Sequence, residues 1–88
     1  RYGGEEFAMF ITDVPEGRTK LVAMRILDEV RKLRFEEDRD LRITVSIGLY
    51  SGTVTKDSRL EDYIGRADKA MYEAKRSGKN RVVLYSEV

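Results

Sequence analysis

The sequence predicts a single mixed domain, layered α/β or α+β, with two helices packed on one or both faces of a small sheet. Strand-like and helix-like periodicities alternate along the chain in the order β-α-β-α-β. In addition, the 88 residues contain no linker-like stretch, internal repeat or low-complexity segment, so they make at most one domain. A chain this short buries a modest share of its surface and needs close packing or assembly to be stable.

Gly3-Gly4, at the start of the chain, is a good hairpin turn, because glycine accepts positive φ at both central positions. Residues 6–12 carry Phe7, Phe10 and Ile11 in a run too short for a helix, which reads as a buried strand. Asp13-Val14-Pro15-Glu16-Gly17 breaks that run. From 18 to about 35, Ala23, Ile26, Leu27, Val30 and Leu33 recur at three- and four-residue spacing, the mark of an amphipathic helix. Arg31, Lys32 and Arg34 suit its C-terminal turns, and residues 36–40 form a charged connection.

Residues 41–50 alternate, with Ile43, Val45, Ile47 and Leu49 on one side and Thr44, Ser46, Gly48 and Tyr50 on the other, as in a half-buried strand. A polar loop over 51–58 offers Asp57 or Ser58 as an N-cap. Leu60, Tyr63, Ile64, Ala67, Met71 and Ala74 mark a second helix, closed by Gly78 at the C′ position. Val82, Val83, Leu84 and Tyr85 make a short last strand. Tyr50, Tyr63 and Tyr85 read as core or half-core aromatics.

Composition narrows the chemistry. Seventeen Lys and Arg against sixteen Asp and Glu leave a net charge of +1, which argues for neither a nucleic-acid partner nor a membrane surface. Without cysteine there are no disulfides or thiolate metal sites, which suits a reducing, cytoplasmic setting. Without histidine, catalysis must rest on carboxylates, Lys, Tyr or metal-bound groups. No apolar run approaches the roughly 18 residues of a membrane span, and no signal-peptide pattern appears. Abundant charge with no Gln and a single Asn, Asn80, is the pattern of a thermophilic source, and equally of chance in so short a chain.

The residues placed to carry chemistry cluster at two points. Gly3 and Gly4 present bare backbone that phosphates can approach, and the carboxylates Glu5 and Glu6 beside them are of the class that holds Mg²⁺. Taken alone, such a run is a solvated turn, since adjacent strand residues point to opposite faces; at a hairpin tip that alternation relaxes. Lys75 and Lys79 lie four apart at or just past the end of the second helix, where cations also simply favour the helix dipole. Asp68 and Tyr72, also four apart, read as a helix-stabilising pair, and Arg76 and Arg81 as surface residues.

The heptad Arg1-Tyr2-Gly3-Gly4-Glu5-Glu6-Phe7 resembles the signature of the GGDEF family, the diguanylate cyclases, in its GGEEF variant. Three further stretches are similar to family segments in the same order: Ile43-Thr44-Val45-Ser46-Ile47-Gly48, Ala67-Asp68-Lys69-Ala70-Met71-Tyr72-Glu73-Ala74-Lys75, and Gly78-Lys79-Asn80-Arg81-Val82. The resemblance implies a ferredoxin-like, nucleotide-cyclase-like fold and an Mg²⁺- or Mn²⁺-dependent enzyme, a nucleotidyltransferase. Two GTP bound to a homodimer would be condensed to cyclic di-GMP with release of two pyrophosphates. It implies Glu5 as catalytic residue and metal ligand, Glu6 as second ligand, and Gly3, Gly4, Lys75 and Lys79 as phosphate-binding residues. Lys79 stands where the family often has Arg, which keeps the charge and loses the bidentate fork.

Only Arg1 and Tyr2 precede the glycine turn, so the chain is expected to be the C-terminal half of one GGDEF domain. The resemblance places a metal-binding Asp, guanine-reading Asn and Asp residues and an inhibitory Arg-x-x-Asp site in the other half. It also implies a central strand there, between the strands at 6–12 and 41–50. The chain alone is accordingly expected to be inactive and to associate through unpaired edges. The rival readings are a non-catalytic GGDEF-like module that binds nucleotide or a protein partner, and a ferredoxin-like interaction domain without nucleotide chemistry.

Overall fold

A computed structural model describes Pro15 and residues 17–88. The Gly-Gly turn and the strand expected over 6–12 lie outside these described residues. The described chain forms a mixed helix and strand unit: α1 (Thr19–Arg31), β1 (Ser46–Leu49), α2 (Leu60–Arg76), β2 (Arg81–Leu84) and a closing 3₁₀ turn, Tyr85–Glu87. The two strands pair in parallel, with Ser46 opposite Arg81, Gly48 opposite Val83 and Leu49 opposite Leu84. Parallel neighbours require a crossover, and α2 supplies it.

Close approach of α2 to the sheet is the central packing event. Gly48 lies under α2 so tightly that a Cβ there would strike the backbone of Met71 and the carbonyl of Ala67, with Met71 Cα 2.6 Å away. The helix face that permits this is small: Ala70 and Ala74 are fully buried and pack with Val83, the strand partner of Gly48, while Tyr85 covers the edge.

Helix α1 buries Ala23 and Leu27 and lies against both strands. It runs antiparallel to β2, since Lys20 near its start pairs with Glu87 at 3.9 Å while Arg31 at its end bonds Asn80. The two helices lie over the same narrow pair of strands and scarcely touch, and Leu27 does not join the Ala70–Ala74–Val83 cluster. They therefore cover opposite faces.

Several expectations are corrected. Helix α1 stops at Arg31 rather than near residue 35, so Leu33 leaves the apolar stripe and is exposed. Among the described residues, only Ser46–Leu49 of the strand expected over 41–50 form a ladder, matching the four residues of β2. Leu41 and Ile43 are exposed, and Ser46–Leu49 are all half-buried rather than alternating, since a helix covers each face. Leu60 opens α2 but is exposed, and Tyr85 belongs to the 3₁₀ turn, not to the strand. Neither Asp57 nor Ser58 caps α2: Arg59 occupies the N-cap without a side-chain bond. The Ser58 hydroxyl instead accepts from Thr55 N at 2.7 Å and sits 3.3 Å from Tyr63 Oη, locking the preceding loop.

The tyrosines behave as expected. Tyr50 meets Tyr63 and Tyr85 edge-on, with centroids 5.1 and 5.7 Å away. Arg66 donates to Tyr50 Oη at 2.7 Å, and Tyr63 donates to the Thr53 carbonyl at 2.9 Å. Among the described residues, no helix is long and apolar enough to cross a membrane.

Candidate functional site

Of the six predicted site residues, Gly3, Gly4, Glu5 and Glu6 lie outside the described residues, and Lys75 and Lys79 lie within them. Both lysines belong to the turn that joins α2 to β2. The helix ends as the glycine predicts, with Ser77 at the C-cap and Gly78 at C′ with φ +130°. Lys79 N donates to the Ala74 carbonyl at 2.8 Å and Gly78 N to the Lys75 carbonyl at 3.4 Å, the paired bonds of a Schellman motif. Ser77 N and its hydroxyl both donate to the Glu73 carbonyl, at 2.9 and 2.7 Å.

These bonds change how the two lysines are related. Helical spacing no longer relates them, because Lys79 lies beyond the helix; the turn, folding back on Ala74, keeps it near the last turn that carries Lys75. The carbonyls of Glu73, Ala74 and Lys75 are already bonded by main-chain N–H groups. Those three carbonyls therefore need no ammonium as a cap, although both lysines still stand near the negative end of the helix dipole. Both residues are exposed, so a ligand can reach them.

Backbone strain concentrates here. After Gly78, Lys79 and Asn80 also take positive φ, +63° and +50°, and they are the only non-glycine residues to do so among those described. Such conformations cost of order 1–3 kcal/mol each and persist where surrounding contacts fix them. The contacts are visible. Arg81 Nε donates to the Lys79 carbonyl at 2.9 Å. From α1, Arg31 donates through Nε to Asn80 Oδ1 at 2.9 Å and through its terminal nitrogen to the Asn80 carbonyl at 3.1 Å.

Sequence reasoning missed Arg31 and Asn80; Arg81 is a surface residue as expected, but its bond to the Lys79 carbonyl was not foreseen. Asn80 carried a signal, since Asn is the residue after Gly that best tolerates the left-handed region. Arg31 carried none, because its partner is 49 residues away. Arg76 is a surface residue as expected, paired with Glu73 on the same helix. The Glu73 carboxyl is held below its ordinary value by the hydrogen bond from Arg76. Asp68 and Tyr72 are both exposed. Among the described residues no group of three or more Asp and Glu is placed to hold a metal, so the metal expectation rests on Glu5 and Glu6. A solvent-open hollow lined by Arg34, Phe35, Glu36 and Arg39 contains none of the predicted site residues.

Comparison with known proteins matches the chain to the family described as "Diguanylate cyclase, GGDEF domain" over residues 1–81. It is 38% identical over 85 residues to diguanylate cyclase A of Treponema denticola, covering 96% of this chain and 23% of that protein. It is 37% identical over 89 residues to the probable diguanylate cyclase DgcT of Escherichia coli K12, covering 96% of this chain and 19% of that protein. The uncharacterized protein YtrP of Bacillus subtilis is 35% identical over 88 residues, all of this chain and 14% of that protein. The chain thus spans less than a quarter of the length of these three relatives. No solved structure matches it significantly. With the match running from the Gly-Gly-Glu-Glu-Phe signature through the α2–β2 turn, the chain belongs to the GGDEF family.

Proposed function

We propose that the chain is part of an active diguanylate cyclase, the C-terminal half of a ferredoxin-like GGDEF domain, acting in the cytoplasm as a homodimer on GTP. The observation that carries this reading is the intact Gly3-Gly4-Glu5-Glu6-Phe7 run, with both acids retained, inside the family match. In each of two steps a ribose 3′-hydroxyl attacks the α-phosphorus of the GTP on the facing protomer. A P–O bond to the 3′-oxygen forms, the α–β anhydride breaks, and pyrophosphate leaves; twice over, this gives cyclic di-GMP.

The residues divide that work. Gly3 and Gly4, lacking Cβ atoms, let the phosphates approach main-chain N–H groups. The Glu5 and Glu6 carboxylates are hard oxygen donors that fit Mg²⁺ or Mn²⁺. When bound, such an ion lowers the hydroxyl's pKa and offsets phosphate charge. Glu5 also assists removal of the hydroxyl proton. Lys75 and Lys79 bind the phosphates and offset charge on the departing pyrophosphate.

The test is Glu5→Gln in the full-length protein, with cyclic di-GMP formation from GTP and Mg²⁺ as the readout and circular dichroism as the folding control. Product formation is expected to fall by about a thousandfold or more with the fold intact. Turnover near that of the unaltered protein sinks the assignment of Glu5. An unaltered protein that binds GTP and makes no product shows a regulatory module instead.

A further inference from the structure

The α2–β2 turn is held from outside itself. Lys79 sits between two other left-handed residues, and its peptide groups are fixed on both sides: its N–H by Ala74, its carbonyl by Arg81. The next residue, Asn80, is gripped by a side chain from a different element. Arg31 spans the Asn80 side-chain oxygen and main-chain carbonyl with two donors, at 2.9 and 3.1 Å. Its remaining terminal nitrogen meets Asp28 Oδ1 at 3.2 Å, which fixes the guanidinium on α1. A two-point grip on one residue constrains position and orientation together, as a single ammonium cannot.

Strain of this kind is retained where the neighbourhood over-determines it, and it concentrates at ligand clamps. The left-handed pair leads the chain from the end of α2 into the ladder, which starts at Arg81. The same conformation fixes the direction in which Lys79 leaves the turn.

We propose that Arg31 is a positioning residue: by holding Asn80, it sets the left-handed turn and aims Lys79 at the β- and γ-phosphates of the nucleotide. This rests on the reading of Lys79 as a phosphate-binding residue. Arg31 touches no substrate. It couples the end of α1 to the phosphate grip, so a displacement of α1 changes affinity for triphosphate without touching the guanine pocket.

The experiment measures binding of 3′-deoxy-GTP, which lacks the attacking hydroxyl, and of GMP by competition, to the full-length protein. The variants are Arg31→Ala, Arg31→Lys, Lys79→Ala and the double variant Arg31→Ala/Lys79→Ala. Arg31→Ala is expected to weaken 3′-deoxy-GTP about tenfold and GMP by less than twofold. Arg31→Lys keeps the charge at the helix end and serves if the Ala variant fails to fold; it is expected to show the same selective loss, because one ammonium does not reproduce the grip. In the Lys79→Ala background, removing Arg31 is expected to change nothing further.

Equal loss for both nucleotides means a general structural role and overturns the proposal. So do full rescue by Arg31→Lys, additive losses in the double variant, or no effect of Arg31→Ala while Lys79→Ala weakens the triphosphate. If Lys79→Ala itself leaves 3′-deoxy-GTP binding unchanged, the phosphate reading of Lys79 has failed first and takes the proposal with it.

Discussion

The β1–α2–β2 unit and the segment from 32 to 45 are built on opposite principles, though the sequence patterns behind them look alike. In the first, contacts are long-range and close: fully buried Ala70 and Ala74 let α2 settle onto Gly48, and Val83 fills the space beside it. In the second, the bonds are short-range. Arg34 donates back to the carbonyls of Arg31 and Leu33 at 3.0 and 2.7 Å, Asp40 N reaches Asp38 Oδ1 at 3.1 Å, and Leu41 N reaches the Asp38 carbonyl at 3.2 Å. Most of its apolar residues stay in solvent, with Leu33, Leu41 and Ile43 at 46, 45 and 39% exposure, while Phe35 and Val45 are half-buried. Periodicity therefore states what a segment is able to bury; a partner surface decides whether it does.

The sharpest way to break that comparison is Gly48→Val. A β-branched residue suits a strand, so propensity alone predicts a neutral or stabilising change. Close packing predicts the reverse: the new side chain meets helix backbone, which cannot yield without moving α2. Overpacking of this kind costs about 3 kcal/mol, read as lost amide-exchange protection across β1, α2 and β2. Ile43→Thr, in the other region, is the control and is expected to stay within about 0.5 kcal/mol. If the two variants behave alike, the contrast between the regions is not real.

The same contrast explains what was legible. Gly78 at C′, the α2 stripe through Tyr63, Ala67 and Ala74, and the half-buried tyrosines were readable because local signal and tertiary contact agree there. The ends of α1 and of the strand at 41–50 were not, because pattern extends past the point where partners stop. Gly48 was placed on the less apolar side of its strand, and only the structure shows why that side is the tighter one: a helix backbone takes the space of the missing Cβ. In the candidate site, the place of Lys75 and Lys79 at and just past the end of α2 was readable from the helical pattern and Gly78, while a phosphate role for them rested on the family resemblance. The grip of Arg31 on Asn80 was not, since it joins residues 49 apart through side-chain geometry that composition does not encode.

Gly78→Ala is expected to have the next largest effect. At φ +130° an L-residue is strained, and its Cβ would also meet the Arg81 guanidinium. The expected cost is about 2 kcal/mol, concentrated in the last turn of α2 and the start of β2. Exchange protection at Lys79 N and Arg81 N checks it. A loss spread evenly over α1 and α2 would show that the turn is no separate feature of the unit.

The smallest effect is expected at Glu73, and it asks whether surface charge shares in holding α2. The carboxylate pairs with Arg76 one turn on, and that hydrogen bond holds its pKa below the ordinary value of 4.5. A group depressed on folding contributes stability above its unfolded pKa and loses it as pH falls through the folded value. In the unaltered protein, protection factors in the last turn of α2, which cancel the intrinsic pH dependence of exchange, are therefore expected to decline slightly below pH 4.5. In Glu73→Gln that decline is expected to vanish, while protection at Ala70 and Val83 is unchanged at neutral pH, because burial rather than an exposed pair secures them. Should Glu73→Gln loosen Ala70 and Val83 at neutral pH, the unit depends on its surface ion pair, and close packing is not what separates it from residues 32–45.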